Sequence, residues 1–187
     1  MHAGPEIAVA STKAFTNTLV CFALLALHLG RVRDLSPPTA AGSSPPSAPS
    51  PTRLARFSPI STRRGRVAAR ISQHRDAFFI GRASAYPVAL EGAQKLKEIS
   101  YIHAEAYPAS ELKHGPLALR SHRRRRPSPC FPRGDLYEKT LCSLEEIRAR
   151  RGPVVAVTHP GDARLRERVD DASSRFPPTE PALDPIL

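Results

Sequence analysis

Residues 86–119 read YPVALEGAQKLKEISYIHAEAYPASELKHGPLAL, the longest stretch of the chain free of low-complexity sequence. Pro87 suits a first helical turn, where a missing N–H costs nothing. Ala89, Ala93, Leu96 and Ser100 then recur at helical spacing, which predicts a helix over 87–101 with a narrow stripe of small and apolar residues. Glu91, Lys95 and Glu98 also recur at helical spacing and project together from another face. Downstream, His114 stands in Lys-His-Gly-Pro, where Gly115 and Pro116 punctuate a turn. Between Glu91 and His114 lie four Glu, three Lys and two His, enough for acid–base chemistry if the fold gathers them.

Working outward, Asp76–Gly81 (DAFFIG) is a short apolar burst closed by glycine and reads as a buried strand. Strand, Gly-containing loop and helix make one β-α unit. Asp135–Arg151 carries Leu136, Leu141, Leu144 and Ile147 and ends on a cationic turn, as a helix should. Gly152-Pro153 then leads into Val154–Thr158 (VVAVT), a second buried strand. Helices alternating with apolar strands predict an α/β fold with a parallel sheet.

The rest of the chain is less regular. Its 187 residues suffice for a real core, yet they include 20 Pro and carry a formal net charge of +11. Residues 36–59 hold seven Pro and six Ser, and the region 36–75 reads as linker-like, with a weak basic helix over Arg63–Arg75. Residues 120–134 (RSHRRRRPSPCFPRG) read as irregular. The tail from Phe176 to Leu187 is Pro-rich and predicts no element. Leu19–Leu29 (LVCFALLALHL) is eleven apolar residues, short of the roughly 20 of a membrane span. With Ser11 or Thr12 as cap and Gly30 as stop, it predicts a buried helix of a soluble domain. Cys21, Cys130 and Cys142 are odd in number and form no CxxC pair, so neither a disulfide framework nor a zinc site is indicated. A reducing, cytoplasmic setting fits best.

From spacing alone, Glu91-Lys95-Glu98 is a solvated ion-pair stripe, worth roughly a few tenths of a kcal/mol per pair. The functional alternative is a lysine and carboxylates sharing a pocket, where burial tunes a general base. His114 alone is more readily a structural turn residue than a catalyst. The run His122–Arg126 invites a nucleic-acid reading, but no aromatic residues are interleaved and Pro127 and Pro129 follow at once. No phosphate loop, dinucleotide fingerprint or metal-ligand pattern is present, and no cofactor is indicated.

The stretch 90–119 closely resembles the isomerase half of the glutamine–fructose-6-phosphate aminotransferase family. Ala3–Gly30 (AGPEIAVASTKAFTNTLVCFALLALHLG) is similar to an earlier segment of that half. Leu136–Thr158 and 177–187 (PPTEPALDPIL) are similar to later ones, in the family's order. The resemblance implies two sugar-isomerase (SIS) domains, each a three-layer αβα unit with a parallel sheet, and conversion of fructose 6-phosphate to glucosamine 6-phosphate. By position in the motif it makes Glu98 the carboxylate that moves a proton between C1 and C2, with Lys95 the lysine beside it. His114 becomes the histidine that assists ring opening, reaching a neighbouring subunit's site in the family's homodimer. Val9 and Ser11 line the sugar site, and Glu91 supports it.

The same resemblance implies departures. The family's phosphate-binding loop and its ammonia-generating glutaminase domain belong upstream of these residues, and its Schiff-base lysine belongs after Leu187. Residues 1–35 then correspond to the end of a first SIS domain and 76–187 to an incomplete second one, interrupted by Pro/Arg-rich segments. The chain by itself is expected to be inactive and poorly stable, since losing the strand the family has near 120–134 would expose sheet edges. Two other functions compete: a non-catalytic SIS module that binds phosphosugars, and a basic nucleic-acid-binding protein. Arg/Pro/Ser-rich sequence in 36–75 and 120–134, with spacing to the next similar block kept, suggests a reading frame lost and regained. Translating the coding DNA in its other two frames should restore family-like residues there; if neither frame does, these segments are genuine insertions.

Overall fold

The computed structural model describes residues 4–42, 62–118, 125–129, 136–158, 162–169 and 171–175. Most of the Pro/Ser-rich stretch, Arg120–Arg124 and the tail from Phe176 lie outside them. Three helices come first: α1 (Lys13–Val32), α2 (Pro37–Gly42) and α3 (Thr62–Ile71). The α/β portion follows as β1 (Asp76–Gly81), α4 (Ala85–Ser100), β2 (His103–Pro108), a 3-10 turn (Ala109–Glu111) and β3 (Arg125–Pro129). It continues with α5 (Tyr137–Ala149), β4 (Val155–Thr158), α6 (Ala163–Arg166) and β5 (Asp171–Arg175).

β1 is the strand on which the layers meet. It pairs in parallel with β2 (Asp76 opposite His103 through Gly81 opposite Pro108) and with β3 on its other side. Its side chains alternate between two cores, as period 2 requires. Ala77 joins Ala93 of α4 and Ala104 of β2, with Phe79 and Leu96 packed against them. Ile80 joins Leu141, Leu144 and Ile147 of α5, with Val154, Ala156 and Leu165. Helices α4 and α5 therefore cover opposite faces of the sheet, giving the three-layer αβα arrangement that the resemblance implies. At the end of β1, Gly81 is obligatory by space: a Cβ there would lie 2.3 Å from the Ala85 carbonyl oxygen.

Residues 120–134 are not wholly irregular, as the sequence suggests. Arg125–Pro129 forms β3 in register with Asp76–Ile80. In a parallel ladder each residue turns both its N–H and its C=O to the same neighbour, so alternate residues serve opposite neighbours. Pro127 and Pro129 have no N–H, so the donors facing β1 are those of Arg126 and Ser128. The opposite edge of β3 is then short of donors where β4 runs alongside it. Accordingly the hydrogen-bonded ladders stop there, leaving a three-stranded sheet β2-β1-β3 beside a separate parallel pair, β4-β5. The prolines do not prevent the strand; they split the sheet.

Two helices form between residues 36 and 75: α2, in sequence expected to be linker-like, and α3, where a weak basic helix is expected. For α2 the Ser36 hydroxyl caps the start, accepting from the Thr39 N–H (3.4 Å), and the prolines occupy the first turn. The basic α3 runs beside β5 and buries Val67. The expectation of a buried N-terminal helix needs correction. α1 has no buried residue, and Phe22, Leu24, Leu25 and Leu29 are half exposed or more. Its main neighbour among the described elements is α2, whose six residues are too few to cover a 20-residue helix. The helix extends beyond the apolar run at both ends, and by length and composition alone its 20 residues are long and apolar enough to cross a membrane. Cys21 and Cys142 are free and exposed.

Gly81→Ala should destabilise the chain by at least about 2 kcal/mol, because the new methyl has to displace backbone rather than a movable side chain. Urea unfolding midpoints of the two chains measure this, and equal midpoints would contradict the packing.

Candidate active site

Helix α4 positions the charged groups. Ala89 and Ala93 bury its inner face, and Gly92 lets it sit close to the sheet, since a Cβ there would lie 2.9 Å from a ring carbon of Phe79. The helix ends on Tyr101, which takes the left-handed conformation (φ 58°) and returns its N–H to the Lys97 carbonyl. With the inner face fixed, Glu91, Lys95 and Glu98 project to one side.

There the Lys95 ammonium lies 2.8 Å from Glu98 Oε2 and 3.5 Å from Glu91 Oε1. No more than about a quarter of each of the three side chains is exposed, so this is not the solvated stripe that spacing alone suggests. Gln94 donates from Nε2 to the other oxygen of Glu98 at 3.0 Å. The hydrogen bond from Lys95, helped by that from Gln94, holds the Glu98 carboxyl below its ordinary value, against the opposing effect of burial. Reciprocally, the bond to Glu98 raises Lys95, again against burial. As arranged, Glu98 is a charged carboxylate with a committed partner, and a weak base until that partner moves. Gln94 was not visible as a site residue in the sequence; its signal is a polar side chain four residues before Glu98.

A second polar cluster lies at the start of β2, next to the end of α4. The His103 ring is 3.2 Å from Asp76 Oδ1 and 3.3 Å from Glu105 Oε1. Tyr107 donates to Glu105, and this bond lowers the Glu105 carboxyl. His103, Glu105 and Tyr107 share one side of β2 by strand alternation.

The other predicted site residues stand apart. His114 is exposed in the turn after the 3-10 segment, its backbone N–H bonded to the Glu111 carbonyl at 3.0 Å. Val9 is exposed, and the Ser11 hydroxyl donates to Glu6. Among the described residues no hydrogen bond or ion pair joins His114, Val9 or Ser11 to the α4 cluster. Topology gives a reason. α4 runs back along the sheet, so its C-terminal turn lies at the amino ends of β1 and β2. Ligands of open α/β sheets sit at the carboxyl ends, in the crevice where strand order reverses. The α4 cluster is therefore outside its own sheet's crevice, and a closed pocket around it needs another element.

Residues 70–124 match the SIS domain family. Over 194 residues the whole chain is 44% identical to glutamine–fructose-6-phosphate aminotransferase [isomerizing] of Thermus thermophilus, of which it covers 31%. It is 48% identical over 157 residues, 82% of the chain, to the Pseudomonas putida protein of the same name, covering 25% of that protein. The solved C-terminal domain of glucosamine-fructose-6-phosphate aminotransferase from Francisella tularensis superposes on 98% of the chain with a TM-score of 0.75 at 34% identity, and the chain covers 52% of that domain. The chain thus spans about three tenths of the length of the Thermus relative. With its doubly covered parallel sheet and its charged helix packed on β1 and β2, the chain is similar to part of the SIS-domain isomerase region of glutamine–fructose-6-phosphate aminotransferases.

Proposed function

We propose that this chain supplies the proton-transfer helix of an isomerising aminotransferase, which converts fructose 6-phosphate to glucosamine 6-phosphate in the cytoplasm. The observation that carries the reading is the Lys95–Glu98 pair, 2.8 Å apart and three-quarters shielded on one face of α4. Aldose–ketose isomerisation moves a proton between adjacent carbons, which requires a carboxylate fixed against the sugar with its affinity for protons set by its neighbours. Glu98 is that carboxylate. Lys95 holds it charged and oriented while the site is empty. A bound sugar phosphate that draws Lys95 away raises the proton affinity of Glu98 as transfer begins. Glu91 competes for Lys95 at 3.5 Å and eases that exchange.

His114, exposed in its turn, is suited to act on the sugar ring in a second subunit of a homodimer, and exposed Val9 and half-buried Ser11 are suited to line a pocket closed by residues outside this chain. Residues 1–35 then end one SIS domain and 76–187 form part of a second. The phosphate anchor, the Schiff-base lysine and the ammonia source come from the remainder of a longer protein. The chain alone makes no glucosamine 6-phosphate.

Exchange of residues 76–118 into the full-length Thermus thermophilus relative tests this. The hybrid should form glucosamine 6-phosphate, and Glu98→Gln within it should lower the rate at least about 100-fold, the usual contribution of a positioned acid–base group. Saturable glucosamine 6-phosphate binding by an inactive hybrid would favour a non-catalytic phosphosugar-binding module. A fully active Glu98→Gln hybrid would remove the proposed role of the pair.

A further inference from the structure

At the amino ends of β4 and β5, Arg148, Arg151, Gly152, Glu167 and Arg168 border a cleft of about 280 Å³ that the isomerase reading does not use. Three arginines line it, and their charges are unequally answered. Glu145 serves two of them, with Oε1 2.8 Å from Arg168 Nε and 4.0 Å from Arg148 Nη1. Arg168 also donates from Nη1 to the Arg164 carbonyl at 2.8 Å. Among the described residues Arg151 forms no ion pair. Three cations against Glu145 and Glu167 leave the cleft with an excess positive charge.

The backbone of Arg151 is the second observation. Helix α5 ends with the Arg151 N–H on the Arg148 carbonyl (2.7 Å) and the Gly152 N–H on the Ile147 carbonyl (3.1 Å). This is a Schellman ending, with Arg151 in the left-handed position (φ 55°) that glycine normally fills. An arginine there is strained, while the next residue is itself a glycine. A cationic residue that lines the cleft is held in a costly conformation, and a costly conformation of this kind is where function is first sought. The two capping bonds also occupy helix-end carbonyls that would otherwise repel an anion.

We infer that the cleft is an anion site for a phosphate dianion, either free or carried by a small phosphomonoester, with Arg151 the principal ligand and Arg148 and Arg168 flanking it. Guanidinium forks match phosphate oxygens two at a time, which favours phosphate over a monovalent halide. The volume suits a phosphate with a small organic group and is near the lower limit for ligand pockets.

The test is calorimetric titration of the full chain with inorganic phosphate and, separately, with glycerol 3-phosphate, against chloride at matched ionic strength. Saturable binding of both phosphates over chloride is expected. Tighter binding of glycerol 3-phosphate identifies the monoester as the ligand type, and equal or weaker binding identifies free phosphate. Arg151→Gly should weaken binding about tenfold, as loss of a charge-assisted contact does. It should also raise the thermal midpoint by about 2–4 °C, because glycine relieves the left-handed strain. Arg148→Gln should weaken binding without raising the midpoint. Absence of saturable phosphate binding would overturn the site, as would an Arg151→Gly chain of raised midpoint with unchanged affinity. A lowered midpoint with unchanged affinity would make Arg151 purely structural and overturn it too.

Discussion

The close approach of α4 to β1 and β2 is the constraint on which the functional part of the chain depends. It is made by small residues: Ala77 and Ala104 on the strands, Ala93 on the helix, and Gly92 where a methyl would strike Phe79. Small side chains bury little apolar area each, so the contact gives position more than stability. Its consequence is directional. With Ala89 and Ala93 turned inward, Glu91, Lys95 and Glu98 emerge together and shield one another, and a lysine that would otherwise be surface-exposed becomes the fixed partner of a carboxylate.

The same contact explains why the pair is incomplete. A helix that returns along a parallel sheet places its last turn at the amino ends of the strands, away from the crevice where such sheets bind ligands. The pair therefore looks outward from its domain. The exposed face of α1 and the exposed turn at His114 carry the same message from other parts of the chain. Each is a surface on which this chain does not satisfy itself, consistent with a span of about three tenths of a longer relative.

Much of this was legible in the sequence, for identifiable reasons. β1 was found at its observed bounds because DAFFIG carries the apolar run Ala77–Ile80 and is closed by a glycine that space requires. α4 and α5 were found within two residues of their starts, because their apolar spacing and terminal residues agree with each other. β3 was missed because RRPSP has neither strand periodicity nor a full set of donors; β1 imposes the extended form from outside. β5 (DASSR) was missed because it too lacks strand periodicity; its pairing with β4 supplies the extended form. Burial of α1 was expected from an all-round apolar helix, but pattern reports only the need for a partner, and the described elements do not provide one. In the site, spacing put Lys95 and Glu98 on one face but could not say how far the neighbouring packing shields them. Nor could it show that Gln94 completes the hydrogen bonding of Glu98.

The most direct measurement of the central pairing is an NMR titration of the Glu98 side-chain carboxyl in the intact chain. Its folded-state pKa is lowered, so its stabilising contribution is present above the unfolded value and is lost as pH falls through the folded one. Glu98 should titrate below the ordinary glutamate range, move up clearly in Lys95→Met, and move up less in Gln94→Ala. A Glu98 that titrates as an unpaired glutamate and ignores the loss of Lys95 would show that the two do not act as a unit, and the proton-transfer assignment would lose its physical basis.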